Sequence, residues 1–280
     1  MTSLAERLGY GADDRVVIIT ADEFGLSHSS NVGCLRALDG LATSASVLVP
    51  APWSRDAVAV SAQRDVGVSL TLNSPFDRYR WGPLTQAPSL LDGDGGFPRT
   101  LDDSWDHADL DEVRRECRAQ IERAALWGLD VTHLSTYLDA MLLRPEFFDI
   151  YVDVALEYTL PVRVPGPVAQ ASAGFRFRDL AADEGLWFPD NTVELGAAGI
   201  VGRMLEVVDA LTPGVTELCL RPSVDSPEAR AIGADWDGRV SDLAHLANPG
   251  PLAELLAARH VSIIGWRRVR DGLRASVGGH

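Results

Sequence analysis

Lysine is the residue type that this sequence lacks: all 25 basic residues among its 280 are arginine. Schiff-base and pyridoxal-phosphate enzymes need a lysine amine, so both classes of chemistry are excluded. A P-loop nucleotide site needs Gly-Lys followed by Ser or Thr, so that class of site is excluded as well.

Cysteine and long apolar runs are also scarce. Cys34, Cys117 and Cys219 are odd in number and widely spaced, so they form neither a disulfide framework nor a zinc ribbon. No span approaches the ~20 apolar residues of a membrane helix, and the N-terminal residues lack the apolar core of a signal peptide. We therefore expect a reduced, cytoplasmic protein that has no membrane partner.

Positive charge is the minority sign, because 40 acidic residues oppose 25 basic ones and give a net charge of -15. Nucleic-acid binding relies on neutralising phosphates, so nucleic acid is not an expected partner. Hydrophobic residues make up 46% of the chain, which is typical of a folded globular protein. A small-molecule substrate is the expected partner, and a homodimer is left open.

Short apolar runs with strand character alternate with helical patterns along the chain. Repeated βα units fold into a parallel sheet with helices outside it, so the predicted class is α/β. The pattern alone does not decide whether the sheet closes as a barrel. No linker divides residues 1–280, so one domain is predicted. The predicted strands are residues 15–20, 44–50, 66–72, 130–134, 160–164, 215–220 and 261–266.

Polar side chains collect where these strands end. Sites in parallel α/β folds form at the carboxyl ends of strands, so these residues predict a site. Adjacent acids indicate a metal or proton chemistry, although they could instead cap the following helix. The residues at strand ends are Asp22, Glu23, Ser69, Asn73, His133, Ser135, Tyr137, Asp139 and Arg221.

Two long polar stretches, 73–106 and 221–248, are predicted to be lids over this site, because long loops are often functional. Trp81 lies in the first stretch. Its ring could stack on a flat or sugar-like ligand, or it could pack into the core.

The order of several motifs resembles the YdjC/ChbG-type carbohydrate deacetylases. Members carry Thr-Ala-Asp-Asp-Phe-Gly where this chain has TADEFG at 20–25, and Val-Gly-x-His-Leu-x-Leu where it has VGVSLTL at 66–72. They carry Thr-His-x-Asp-Ser-His where it has THLSTY at 132–137, and Glu-Leu-x-x-His-Pro where it has ELCLRP at 217–222. The resemblance implies a distorted (β/α) barrel of about seven parallel strands.

In that family, one acid of the pair acts as a base, while the second acid and two histidines hold a divalent metal. Carried over, Asp22 would be the base and Glu23 a ligand. The expected histidines, however, are replaced in this sequence by Ser69, Tyr137 and Arg221. Ser135 likewise stands where the family has an aspartate. His133 is the only imidazole left in these motifs.

Serine and neutral tyrosine are poor Zn²⁺ ligands, and an arginine adds a permanent positive charge. We therefore predict an enzyme with no cofactor that performs acid-base chemistry on a small polar, sugar- or amide-like substrate. The predicted catalytic residues are Asp22, Glu23, His133, Tyr137 and Arg221. The predicted substrate-binding residues are Ser69, Asn73, Trp81 and Asp139.

Two alternatives stay open. The first is a metal-dependent deacetylase with one divalent ion, Mg²⁺ or Mn²⁺, held by Glu23, His133 and Asp139. The second is a non-catalytic protein that binds a small ligand in the same pocket. In addition, His133 could be structural, and Arg221 could form a salt bridge with Asp22 or Glu23.

Overall fold

The computed structural model describes residues 2–61, 63–195, 203–248 and 250–278. Within these ranges, seven strands pair in parallel in one sheet, which confirms the predicted α/β class. The strands are β1 Arg15–Phe24, β2 Ser44–Val47, β3 Val66–Leu70, β4 Leu134–Thr136, β5 Asn191–Glu194, β6 Gly214–Leu220 and β7 Val261–Ile264.

β1 is the centre of the sheet. The strand order is β4-β3-β2-β1-β6-β5, and β7 pairs with the first residues of β1. β1 is almost entirely buried, and its apolar run from Val16 to Ile19 is expected for a parallel strand that is covered on both faces. The sheet curls into a half-barrel, so the carboxyl ends of its strands surround a common space.

The predicted strand at 160–164 is wrong as a strand, because it forms only a single bridge between Val162 and Leu134. Pro161 has no N–H to donate, and the N–H of Val162 donates to the carbonyl of Trp187 instead of to a strand. The segment nevertheless lies beside β4, since Arg163 donates its backbone N–H to Leu134. β5 was not predicted, because the sequence around Asn191–Glu194 carries no strand pattern.

β1 also extends beyond the predicted 15–20, so Asp22 and Glu23 lie within the strand. Pairing with β2 continues to Phe24, but the register shifts between Ala21 and Phe24. Glu23 lies in this irregularity with φ 61°. The shift turns the end of β1 and separates its two acids.

Helices cover the sheet. α5 is typical: Asp109 accepts from the N–H groups of Asp111 and Glu112 at its start, and its apolar face is buried. The helices are α1 Leu4–Arg7, α2 His28–Asp39, α3 Ser54–Val60, α4 Leu101–His107, α5 Leu110–Leu126, α6 Pro145–Tyr158, α7 Pro167–Ala173, α8 Phe177–Asp183, α9 Met204–Asp209, α10 Pro227–Ile232, α11 Trp236–Ala247, α12 Gly250–Ala258 and α13 Trp266–Gly278. In the described ranges, none of them is both long and apolar enough to cross a membrane.

Neither of the two stretches predicted as lids, 73–106 and 221–248, is a free loop. The 221–248 stretch contains α10 and α11, which pack against α2. The 73–106 stretch is attached to α5: Glu116 accepts from the N–H groups of Leu84 and Thr85, and Glu112 accepts from that of Ser89. These contacts hold the stretch beside the carboxyl edge of the sheet.

Candidate active site

A cavity of about 290 Å³ opens at the carboxyl edge of the sheet. Six of the predicted site residues line it, and three others do not: His133, Asn73 and Trp81. The lining residues are Asp22, Glu23, Leu48, Ser69, Thr136, Tyr137, Leu138, Asp139, Arg163, Glu194 and Arg221.

Asp22 is held by a guanidinium that lies within the segment predicted as a strand at 160–164. Arg163 donates to both oxygens of Asp22, at 2.8 and 3.0 Å. It also donates to both oxygens of Glu217, at 2.9 and 2.7 Å. Glu217 accepts further bonds from the Thr20 hydroxyl at 2.6 Å and the Trp266 indole at 2.9 Å. We call these five residues the Arg163 network.

The Arg163 network is largely removed from water: Glu217 is fully buried and Arg163 is 6% exposed. Burial raises the pKa of Asp22, and Arg163 only partly opposes this. Burial would also raise the pKa of Glu217, but Arg163 outweighs it and holds that pKa below its ordinary value. The two carboxylates therefore differ, and Asp22, which faces the cavity, is the more basic.

Glu23 turns away from its neighbour. Its positive φ directs its carboxylate to Arg239 of α11, with which it forms an ion pair, and to Arg221, whose Nε lies 3.7 Å away. The alternative that the acids cap α2 is wrong, because Ser27 is the capping residue and accepts from the N–H of Ser30.

Arg221 lies between two carboxylates at the mouth of the cavity. Its Nη2 donates to Glu194 of β5 at 3.1 Å, and it forms the longer contact with Glu23. The salt bridge considered for Arg221 is thus confirmed for Glu23. About a third of the Arg221 side chain remains exposed, so a face of the guanidinium can reach a ligand.

Side chains from β3, from β4 and from the chain that follows β4 form another part of the lining, and we call Ser69, Thr136, Tyr137 and Asp139 the open wall. Leu138 and Asp139 both have positive φ, 51° and 59°. Such a conformation of a non-glycine residue costs of order 1 kcal/mol or more and is frequent at functional sites. It places the Asp139 carboxylate against the cavity, where burial raises its pKa.

The polar groups of the open wall lack partners. Ser69, Thr136 and Tyr137 are 5, 7 and 5% exposed. Within the part of the chain that the structure describes, their hydroxyls and the Asp139 carboxylate form no hydrogen bond or ion pair. Buried polar groups are normally satisfied, so these four are positioned to meet a ligand.

His133 is not brought to the cavity, and its assignment as catalytic is corrected. Its Nε2 lies 3.0 Å from the Ser46 hydroxyl and its Nδ1 lies 3.1 Å from the Thr132 hydroxyl. Its ring stacks on Trp266 at 4.6 Å, and a Cβ on Gly67 would come within 2.4 Å of it. Burial lowers its pKa to about 3, so it is a neutral structural histidine.

Asn73 and Trp81 do not line the cavity either, so their assignment as substrate-binding residues is corrected. Asn73 is buried, and its amide has no partner among the described residues. Trp81 packs with Phe76 and Tyr79, and its ring lies 6.2 Å from that of Tyr137. Trp81 therefore supports the open wall from outside the cavity.

The donor set does not fit the metal that the resemblance implies. Glu23, His133 and Asp139 are not brought together, because His133 lies outside the cavity. Atoms of Asp22, Glu194 and Cys219 do lie within 4.8 Å of one another. Both Asp22 oxygens, however, accept from Arg163, and burial raises the pKa of the Cys219 thiol well above its ordinary value. A protonated thiol is a poor metal ligand.

Sequence reasoning missed Arg163 and Glu217 as site residues. The available signal was a lone charge inside an apolar strand pattern, since such a charge is buried only when it is paired. Thr136, Glu194 and Arg239 carry no comparable signal in the sequence.

A second cavity, of about 310 Å³, lies between α1 and α8. Of its two guanidinium groups, Arg7 lies over the ring of Trp187. The other, Arg178, donates to the backbone carbonyls of Val164, Pro165, Pro189 and Asp190. We therefore place the site at the strand ends, where acids, hydroxyls and guanidinium groups converge.

Comparisons with known proteins agree with the resemblance in the motifs. The family model described as YdjC-like protein matches residues 16–257. A carbohydrate deacetylase of Thermus thermophilus is 36% identical over 96% of this chain and 99% of its own length. A carbohydrate deacetylase of Geobacillus stearothermophilus is 30% identical over 90% of this chain and 97% of its own.

The fold likeness extends to a solved structure. An Enterococcus faecalis protein described as a cellobiose-phosphate cleavage protein superimposes with a TM-score of 0.74 and 21% identity, covering 90% of this chain and 98% of that one. At this identity the match speaks for the fold alone, whereas the family model and the two relatives extend over most of the sequence. The chain belongs to the YdjC-like family.

Proposed function

We propose that the protein is a deacetylase-type hydrolase that removes an acyl group from the nitrogen of a small sugar-like substrate, by acid-base chemistry without a metal. The names of the two relatives support the reaction class. The observation that carries the metal-free part is the contact of Arg163 with both oxygens of Asp22. Arg163 supplies the positive charge beside Asp22, and Glu23, the ligand that the resemblance implies, is paired with Arg239.

Asp22 is the general base in this proposal. Arg163 fixes the orientation of its carboxylate, and each oxygen keeps a further lone pair that can accept a proton from water. Burial raises the pKa of Asp22. A carboxylate with a raised pKa is a stronger base, which suits proton transfer near neutral pH.

Arg221 and Tyr137 are the groups that stabilise the oxyanion. Water loses a proton to Asp22 while its oxygen bonds to the acyl carbon, and the carbonyl π electrons move to the oxygen. The negative charge that develops there is met by the guanidinium of Arg221 and the hydroxyl of Tyr137. The C–N bond then breaks, and the proton on Asp22 passes to the departing nitrogen.

The remaining residues position these groups or the substrate. Glu23 holds Arg221 and Arg239 in place through its two ion pairs. Ser69, Thr136 and Asp139 offer free polar groups to substrate hydroxyls or amines. A volume of about 290 Å³ is near the lower end for ligand pockets, so the substrate is one or two sugar rings in size.

The test is acetate release from N-acetylglucosamine and its short β-1,4 oligomers, with metal content measured on the same sample. After treatment with EDTA and gel filtration, we expect turnover to persist with far less than one metal ion per chain. Added Zn²⁺ or Mn²⁺ should not raise the rate.

The two alternatives predict other results. A stoichiometric metal whose removal abolishes turnover would favour the metal-dependent deacetylase, and binding without turnover across the panel would favour a ligand-binding protein. Either result would overturn the proposal.

A further inference from the structure

The cavity carries more negative than positive charge, even after its internal ion pairs are counted. The carboxylates at the cavity or in contact with its arginines are Asp22, Glu23, Asp139, Glu194, Glu217 and Asp235. The guanidinium groups that they face are Arg163, Arg221 and Arg239.

Asp139 is the one carboxylate of this set that forms no ion pair with a described residue. Arg163 is used by Asp22 and Glu217, and Arg221 is used by Glu194 and Glu23. Asp139 has no such partner in the described residues, although it lines the cavity and is held there by two consecutive residues with positive φ. Asp139 is partly buried, and Arg163 and Arg221 attract it without forming a direct contact. Such a carboxylate is costly to keep without a hydrogen-bonded partner, which a ligand could supply.

Three hydroxyls accompany this carboxylate. Ser69, Thr136 and Tyr137 are each more than nine-tenths buried, line the cavity and have no hydrogen-bond partner in the described chain. A hydroxyl oxygen accepts hydrogen bonds as well as donating them. The open wall therefore offers one anionic and three neutral acceptors to the same ligand.

We propose that the open wall binds a primary ammonium group, so that the substrate carries a free amine in addition to the group that is cleaved. An ammonium has three N–H donors and one positive charge, which match Asp139 together with two of the hydroxyls. A divalent cation matches less well, because hydroxyls are poor ligands and its repulsion from Arg163 and Arg221 is twice as large.

This inference rests on the proposed function only in taking the cavity as the substrate site. The probes are D-glucosamine and D-glucose, which differ at one position by an ammonium in place of a hydroxyl. Because D-glucosamine is also the amine that the proposed reaction would release from N-acetylglucosamine, only a preference that depends on Asp139 supports the inference. Binding is measured by calorimetry at a pH below the pKa of the sugar amine. We expect D-glucosamine to bind at least about tenfold more tightly than D-glucose, as a charge-assisted hydrogen bond allows.

Asp139→Asn should bring the two affinities together. Asp149→Asn is the matched control, because it makes the same charge change at an exposed position on α6, away from the cavity. It should leave the preference unchanged. Thr136→Val keeps the shape of a side chain whose hydroxyl has no described partner, and it should weaken D-glucosamine binding more than D-glucose binding, which gives a second reading if Asp139→Asn does not fold.

The proposal is overturned if wild-type protein binds both sugars equally or binds neither, or if the preference survives in Asp139→Asn. It is also overturned if Mg²⁺ displaces D-glucosamine at an equal concentration, since the wall would then be a metal site. Acetate release and its response to EDTA are scored separately. Equal affinities for D-glucosamine and D-glucose, together with metal-free turnover, would refute this inference alone. A preference for D-glucosamine together with metal-dependent turnover would refute only the proposed function.

Discussion

Two groups of polar side chains share the carboxyl edge of the sheet, and they are built in opposite ways. In the Arg163 network, every charged group has a partner, and Glu217 has three different donors. In the open wall, no described partner satisfies the hydroxyls or Asp139. The Arg163 network is thus buried and fully paired, as in a protein core, whereas the open wall keeps unpaired polar groups, as in a binding site. The contrast indicates that paired groups hold the shape of the site and unpaired ones meet the ligand.

The largest effect is expected from breaking the network. Arg163→Met should lower the free energy of unfolding by about 3–5 kcal/mol, because it leaves two buried carboxylates without a counter-ion. Urea denaturation followed by circular dichroism measures this.

The control for this change is Arg221→Met at the cavity mouth. Its side chain is 34% exposed, so we expect a loss of no more than about 1 kcal/mol. Equal losses in the two variants would remove the distinction between a buried network and a solvated pair.

The next largest effect is expected at Asp22, the carboxylate of the Arg163 network that lines the cavity. Asp22→Asn keeps the shape of the side chain but removes its basicity, so acetate release should fall by about 10²-fold or more. Steady-state kinetics on the N-acetylglucosamine oligomers, with Asp149→Asn as control, measure this. An unchanged rate would assign Asp22 to structure alone.

The sequence predicted that polar residues would meet at the sheet edge, and the structure brings Asp22, Tyr137 and Arg221 to one cavity there. Because parallel strands align their carboxyl ends, apolar runs were sufficient to bring Asp22, Tyr137 and Arg221 to one region. No contact had to be known for this step. The strand pattern also placed Glu23, but not the change in backbone direction that separates it from Asp22.

The pairing of the charges could not be read from the sequence. Arg163 is 141 residues from Asp22 and 54 from Glu217. A lone charge in an apolar run shows that a partner exists, but the curl of the half-barrel decides which one. His133 was misassigned for a related reason: a position near a strand end does not reveal whether a side chain turns toward the opening or into the core.

A third test uses that buried histidine to report on the core beneath the site. Burial lowers the pKa of His133 to about 3, whereas an unfolded histidine titrates near ~6.5. As the pH falls below that value, the unfolded chain gains a proton that the folded chain does not. Stability should therefore decline by roughly 1.4 kcal/mol per pH unit until the folded pKa is reached.

His133→Asn should remove this part of the pH dependence, and His107→Asn, at the exposed end of α4, should not. Urea midpoints collected from pH 7 to pH 4.5 provide the comparison. If wild type and His133→Asn decline in parallel, the imidazole is accessible to protons, and its assignment to the core is incorrect.

The smallest effect falls on the open wall and tests whether its hydroxyls act on the reaction. Tyr137→Phe removes one unpaired hydroxyl and leaves the ring in contact with Trp81, so stability should hardly change. If the hydroxyl meets the developing oxyanion, kcat should fall by about tenfold, as the loss of one hydrogen bond to a charged group predicts. Tyr158→Phe is the control, since its hydroxyl donates to Glu122 on the outer surface. A lower kcat at unchanged KM would place Tyr137 with the transition state, whereas a higher KM alone would place it with the bound substrate. A variant with wild-type kinetics would mean that Tyr137 merely fills the volume of the imidazole that the family resemblance places at this position.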